Sequence, residues 1–89
     1  EKSKVLITNN MIKDNNTGIA VKDGSSVCLN GNNFIENKMD ISSYVKKKMY
    51  STPSVQIKNQ IFDNVSIISH LGLLTDLNSL PECNPSKFL

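Results

Sequence analysis

"GIAVKDGSSVCLNGNNFIEN", residues 18–37, decides the fold. Apolar and polar residues alternate through Ile19-x-Val21 and again through Val27-x-Leu29, the period-2 pattern of a strand with one buried face. Asp23-Gly24 between them supplies a turn. Leu29 is then followed by one asparagine after another, and those asparagines recur along the chain. Setting Val5 over Val27, 22 residues apart, brings Ile7 over Leu29, Asn10 over Asn32, Ile12 over Phe34, Asp14 over Glu36, Asn15 over Asn37 and Ile19 over Ile41 without a gap. A third copy opens at Val55 and Ile57. A one-residue deletion after Ile57 then sets Asn59 over Asn32, Ile61 over Phe34, Asn64 over Asn37 and Ile68 over Ile41. "YVKKKMYSTP", residues 44–53, is an insertion closing on Pro53, and insertions in repeat proteins map to loops on one face.

Each unit reads strand, turn, strand, turn. No stretch in residues 1–64 carries an apolar stripe at i, i+3, i+4, i+7 long enough for a helix. Units of this length cannot bury an apolar face alone, so they are expected to stack as coils of a solenoid whose strands pair in parallel. "VLITNNMIKDNNTGIAV", "VCLNGNNFIENKMDIS" and "VQIKNQIFDNVSIIS" together resemble the right-handed parallel β-helix repeat of the pectate-lyase-like superfamily. The expected fold is therefore all-β: about three coils of parallel β-helix over residues 1–70, the insertion at 44–53 included, with a C-terminal cap over residues 71–89. In the cap, Leu71, Leu74 and Leu77 are placed on one side, and Pro81 and Pro85 stop any longer helix. The first coil starts without a cap. It is expected to meet preceding coils of a parent chain or to self-associate edge to edge.

Stacking explains the asparagines. Equivalent residues of stacked strands lie about 4.8 Å apart, so side-chain amides can donate to one neighbour and accept from the next. Asparagine also tolerates the left-handed backbone of a tight corner. Asn10, Asn32 and Asn59 are expected to form one structural ladder, and Asn15, Asn37 and Asn64 a second.

Composition narrows the remaining classes. A chain of 89 residues with a net charge of +2 at pH 7 carries no strong basic face for nucleic acid, and no apolar run reaches membrane-spanning length. The N-terminal "EKSKV" has no initiator Met and no signal-like apolar region, which reads as a piece processed or cut from something longer. Cys28 and Cys83 stand far apart, outside any metal-binding spacing, and two states remain open: a disulfide or two free thiols. The strand alternation turns Cys28 outward, over Leu6 and Gln56, as an exposed thiol.

Three groups are candidates for chemistry. Asp14, Glu36 and Asp63 each precede a ladder asparagine and form an acidic column along one edge. Such carboxylates could supply acid and base to a glycosidase or hold Ca²⁺, and outward-pointing they are ordinary solvated turn residues. Tyr44, Lys46, Lys47, Lys48 and Tyr50 in the insertion suit an acidic polysaccharide through charge and stacking, or keep a loop wet. His70, the single histidine, aligns with Ser43 and Val21 and has no ligand or acid at useful spacing, so it reads as incidental.

No catalytic set, cofactor motif or metal-ligand spacing is legible, and the chain has no arginine to assist a lyase. The reading favours a non-catalytic module, structural or carbohydrate-binding, of a larger surface or secreted protein. Its alternative is the C-terminal fragment of a polysaccharide lyase or glycoside hydrolase whose catalytic coils lie upstream. The resemblance implies an extracellular or cell-surface setting.

Overall fold

The computed structural model describes residues 3–46 and 51–88. The first unit contributes β1 (Lys4–Thr8), β2 (Met11–Lys13) and β3 (Thr17–Lys22). The second contributes β4 (Ser26–Asn30), β5 (Asn33–Ile35) and β6 (Met39–Tyr44), and the third β7 (Ser54–Lys58), β8 (Ile61–Phe62) and β9 (Ile68–His70). A last strand, β10 (Leu73–Thr75), and two 3₁₀ turns at Leu77–Ser79 and Pro85–Phe88 complete the described chain. The protein is all-β. Three sheets form in the orders β1-β4-β7, β2-β5-β8 and β3-β6-β9, every pair parallel, and β10 joins β9 antiparallel. Each sheet thus takes one strand from each repeat unit.

The 22-residue repeat is the pairing register of the first two units. Val5 faces Val27, Ile7 faces Leu29, Ile12 faces Phe34 and Ile19 faces Ile41. The third unit corrects the sequence alignment. Phe62, not Ile61, pairs with Phe34, while Ile61 pairs with Asn33 and is 59% exposed. The missing residue falls later, between Asp63, whose N–H still donates to the Phe34 carbonyl at 3.1 Å, and Ile68, which pairs with Ile41. Aromatic packing gives the reason. A one-residue slip turns a strand inside out, and the observed register stacks the Phe62 ring on Phe34 with centroids 4.9 Å apart instead of turning it to solvent.

The inward residues form one apolar core of Val21, Val27, Leu29, Phe34, Ile41, Val55, Ile68 and Leu80, with Ile7, Ile12, Ile19, Ile57, Phe62 and Leu77 packed at its margins. Burial is greatest in the middle unit, where Leu29 and Phe34 are completely covered, and falls toward the first, where Val5 is 44% exposed. Gly18 is required by the close approach of adjacent units: a Cβ there would lie 2.7 Å from the Asp40 carbonyl oxygen and 2.9 Å from Ile12 Cγ2.

The C-terminal residues do more than end the repeat. Leu71 and Gly72 take left-handed conformations, with φ of 53° and 83°, to turn β9 back into β10. Leu71 and Leu74 stay exposed, and Leu77 and Leu80 turn toward the core, which corrects the expected stripe of Leu71, Leu74 and Leu77. Beyond them the chain adds to the free edge of β7. The Ile57 N–H donates to the Pro81 carbonyl at 3.0 Å, and the Cys83 N–H returns to the Ile57 carbonyl at 3.0 Å.

The Pro85–Phe88 turn then packs against β1 and β4, with the Lys4 ammonium 5.5 Å from the centre of the Phe88 ring. Cys28 does point away from the core strands, yet it is fully buried and bonded to Cys83, with the two Cα atoms 5.8 Å apart. The expected exposed thiol is therefore a buried disulfide, because the C-terminal segment covers that side of the sheet.

Thr8 Oγ1 is a buried side-chain oxygen with no hydrogen-bond partner among the described residues. An unsatisfied hydroxyl removed from water is unfavourable. Thr8→Val, nearly the same shape, is expected to raise the unfolding free energy by about 1 kcal/mol. Urea denaturation of the two proteins checks this; a lower midpoint for the variant would show that the hydroxyl has a partner.

Candidate functional site

Two columns of corners run across the repeat units, and each separates two jobs that asparagine can do. At the first corner Asn9, Gly31 and Asn59 are left-handed, with φ of 53°, 69° and 56°, and each is followed by a ladder residue: Asn10, Asn32 and Gln60. The Asn10 N–H donates to Asn32 Oδ1 at 2.9 Å, and the Asn32 N–H donates to Gln60 Oε1 at 3.2 Å. Asn32 Nδ2 donates to the Ile7 carbonyl at 2.9 Å, and Gln60 Nε2 to the Leu29 carbonyl. Asn59 is thus a corner residue and Gln60 is the third rung. The sequence alignment missed it because the deletion was placed too early, and glutamine's longer side chain carries the same amide.

The second corner repeats the arrangement with Asp14 and Glu36 left-handed, at 58° and 52°, ahead of Asn15 and Asn37. The Asn15 N–H and Nδ2 both donate to Asn37 Oδ1, at 3.0 and 3.1 Å. Asn37 Nδ2 donates to the Ile12 carbonyl at 2.9 Å and to Asp40 Oδ1 at 3.2 Å. Asn64 does not continue this ladder. It is exposed, since the residue missing before Ile68 removes the third corner, and the buried Asp40 carboxylate bridges the gap by accepting the Ile67 N–H at 2.9 Å. Asp40 was not singled out by the sequence. An isolated acid between apolar strand residues carries no pattern that distinguishes it from a surface group.

The expected acidic column holds for two of its three members: Asp14 and Glu36 are left-handed corner residues, whereas Asp63, one position beyond the Phe62–Phe34 pair, stands opposite Ile35 because the third unit keeps its register through Phe62. Asp14, Glu36 and Asp63 are all exposed, and Asp63 Oδ2 accepts the Glu36 N–H at 3.1 Å. Among the described residues no three histidine, cysteine or acidic side chains converge to hold a metal ion.

The insertion starts from a braced position. Tyr44 ends β6 in register with Lys22 of β3, and Tyr44, Lys22 and Lys46 are exposed. Asp23, left-handed at φ 52° and 7% exposed, holds this junction: its N–H donates to the Tyr44 carbonyl at 3.0 Å and its Oδ1 accepts the Lys46 N–H at 2.8 Å. An aromatic side chain therefore stands on a fixed strand end with a lysine from each of two neighbouring segments. Lys22 is a member that strand pairing alone reveals. Lys47, Lys48 and Tyr50 lie outside the described residues.

His70 faces Ser43 across β6 and β9, and Ser43 Oγ hydrogen-bonds His70 Nδ1. Ser43 is 1% exposed, so its oxygen is closed to a substrate and the pair ties two strands together. His70 also borders a recess of about 270 Å³ lined mainly by Pro53, Val55, Thr75, Ser79 and Leu80. A wider recess of about 570 Å³ lies along Ile67, Ile68, Leu73 and Leu74, with Thr75 and Asp76 at its polar side. No helix among the described residues is long and apolar enough to cross a membrane. Comparison of the chain with protein-family models, curated proteins and solved structures finds no match to any of them.

Proposed function

We propose that this chain is a non-catalytic module built as a right-handed parallel β-helix, and that it binds acidic polysaccharide through the corner at Lys22, Tyr44 and Lys46. The parallel pairing of equivalent residues in successive units supports the β-helix reading. The observation that carries the binding reading is the braced, exposed tyrosine in register with exposed Lys22 and two residues ahead of exposed Lys46. A tyrosine face stacks on a sugar ring, and two ammonium groups beside it suit carboxylate or sulfate substituents. Acidic glycans are extended polymers, so a site open on a sheet end needs no enclosed pocket. The Cys28–Cys83 bond suits an oxidising compartment, in keeping with a surface or secreted parent protein.

A glycan array probed with the 89-residue chain tests the proposal. Binding to polyuronates or sulfated glycans is expected, with a loss of tenfold or more in Tyr44→Ala and in the Lys22→Ala, Lys46→Ala double variant. These exposed positions leave the core untouched, so circular dichroism should be unchanged. Binding that survives both variants would place the site elsewhere, and silence across acidic glycans would remove the carbohydrate reading.

A further inference from the structure

We infer that the end of the molecule formed by β1, β2 and β3 receives one more repeat unit of this protein's own kind, joined ahead of β1 and paired with it in parallel. The inference rests on the parallel β-helix reading and comes from the side-chain amides.

At each internal boundary, the ladder residue of one unit reaches back to the unit before it in the same way. Its oxygen accepts a backbone N–H, and its NH₂ donates to the carbonyl three residues ahead of that N–H. Asn32 does this to Asn10 and Ile7, Gln60 to Asn32 and Leu29, and Asn37 to Asn15 and Ile12. Asn10 and Asn15 occupy the same positions at the open end, and no described residue donates to the Oδ1 of either. The complement they fit is a strand and corner of the repeat's own geometry, running parallel to β1 and β2.

The apolar surface at this end agrees. Val5, Ile7, Ile19 and Val21 border a recess of about 340 Å³, and Val5, Ile7, Ile12 and Ile19 are only partly covered where their partners Val27, Leu29, Phe34 and Ile41 are closed. β1, β2 and β3 each stand at the outer edge of their sheets. A second copy of the chain does not supply a matching layer. The opposite end is occupied, β7 by Pro81 and Cys83 and β9 by β10, so copies cannot stack head to tail. Head to head, the strands would run antiparallel and set amide against amide. Joining in the same polypeptide needs only a link like the one present between β3 and β4, where residues 23–25 connect Lys22 to Ser26 through a left-handed Asp23.

The test is a tandem duplication of residues 4–25 placed ahead of Lys4, compared with the unextended chain by thermal unfolding and amide exchange. The amides of Leu6 and Thr8, which alternate away from β4, are expected to exchange at least tenfold more slowly in the extended protein, and its midpoint is expected to rise. Asn10→Ala with Asn15→Ala is expected to lower the midpoint of the extended protein clearly more than that of the unextended one. Equal exchange at Leu6 and Thr8, or an equal effect of the double substitution in both proteins, would overturn the inference. So would an unextended chain that sediments as a dimer with those amides already protected.

If the extended protein does not fold, a synthetic peptide of residues 4–25 added to the unextended chain decides the matter by the same two amides: slowing supports the inference and unchanged exchange overturns it. Failure of the underlying reading shows separately. Unprotected amides between β4 and β7 in the unextended chain would refute parallel stacking itself, whatever happens at β1.

Discussion

Replacing both Cys28 and Cys83 with serine is expected to lower the unfolding free energy by about 4 kcal/mol. The bond joins residues 55 apart in sequence, and closing a loop of that length in the unfolded chain removes entropy of about that size. Small domains have total stabilities of only about 5–15 kcal/mol, so the loss takes a large share. The structural consequence is local as well as global. The bond fixes residues 81–88 across one side of the β1-β4-β7 sheet, where Ile57, Lys4 and the β1 and β4 strands meet them. Urea denaturation with and without reductant measures the effect on the natural sequence, and limited proteolysis should cut first near the C-terminus once the bond is open. Coincident unfolding curves for the oxidised protein and the double variant would show that the segment holds without it.

Asn32→Leu is expected to lower the unfolding free energy by about 3 kcal/mol. Asn32 is completely buried, and its amide serves the Asn10 N–H, the Ile7 carbonyl and Gln60 Oε1. Leucine of similar volume fills the space and leaves those groups without their partner, each at a cost of about 1–3 kcal/mol where water cannot reach it. Exposure of Asn10 on the outer layer limits the sum. Asn64→Leu is the matched control, expected within about 0.5 kcal/mol of the parent because Asn64 is exposed and outside the ladder. Thermal or urea unfolding of the two variants separates the cases. Equal losses would mean that asparagine content, rather than position in the ladder, sets stability.

Much of the architecture was legible because it rests on local alternation and on repetition. Val5-x-Ile7 and Val27-x-Leu29 predict strands with an inner face, and the spacing between them is the pairing register itself. The same logic failed in the third unit at a single deletion. Sequence matching places a gap where letters agree, and Asn59 over Asn32 is a better match of letters than Gln60. The structure places the gap where the Phe62 ring reaches Phe34, since burying an aromatic face outweighs the identity of an amide that glutamine can also provide. Asp14 and Glu36 likewise read as a column of acids, and their common property is a left-handed backbone at one corner.

What the sequence by itself determined was the set of short strands, the two-unit register, and asparagine as a structural residue bonded from one unit to the next at Asn10, Asn15, Asn32 and Asn37. These depend on neighbours a few residues apart or on equivalent positions one repeat away, and periodicity records both. The tertiary structure alone decided the pairing of Cys28 with Cys83, the bridging role of Asp40 and the meeting of Lys22 with Tyr44. Each joins parts of the chain whose separation obeys no period: a tail folded back over a sheet, a carboxylate filling the place of a lost corner, two strand ends brought level by pairing. Such contacts are selected by which surfaces remain uncovered once the strands have stacked, and that is a property of the assembled sheets rather than of any stretch of residues.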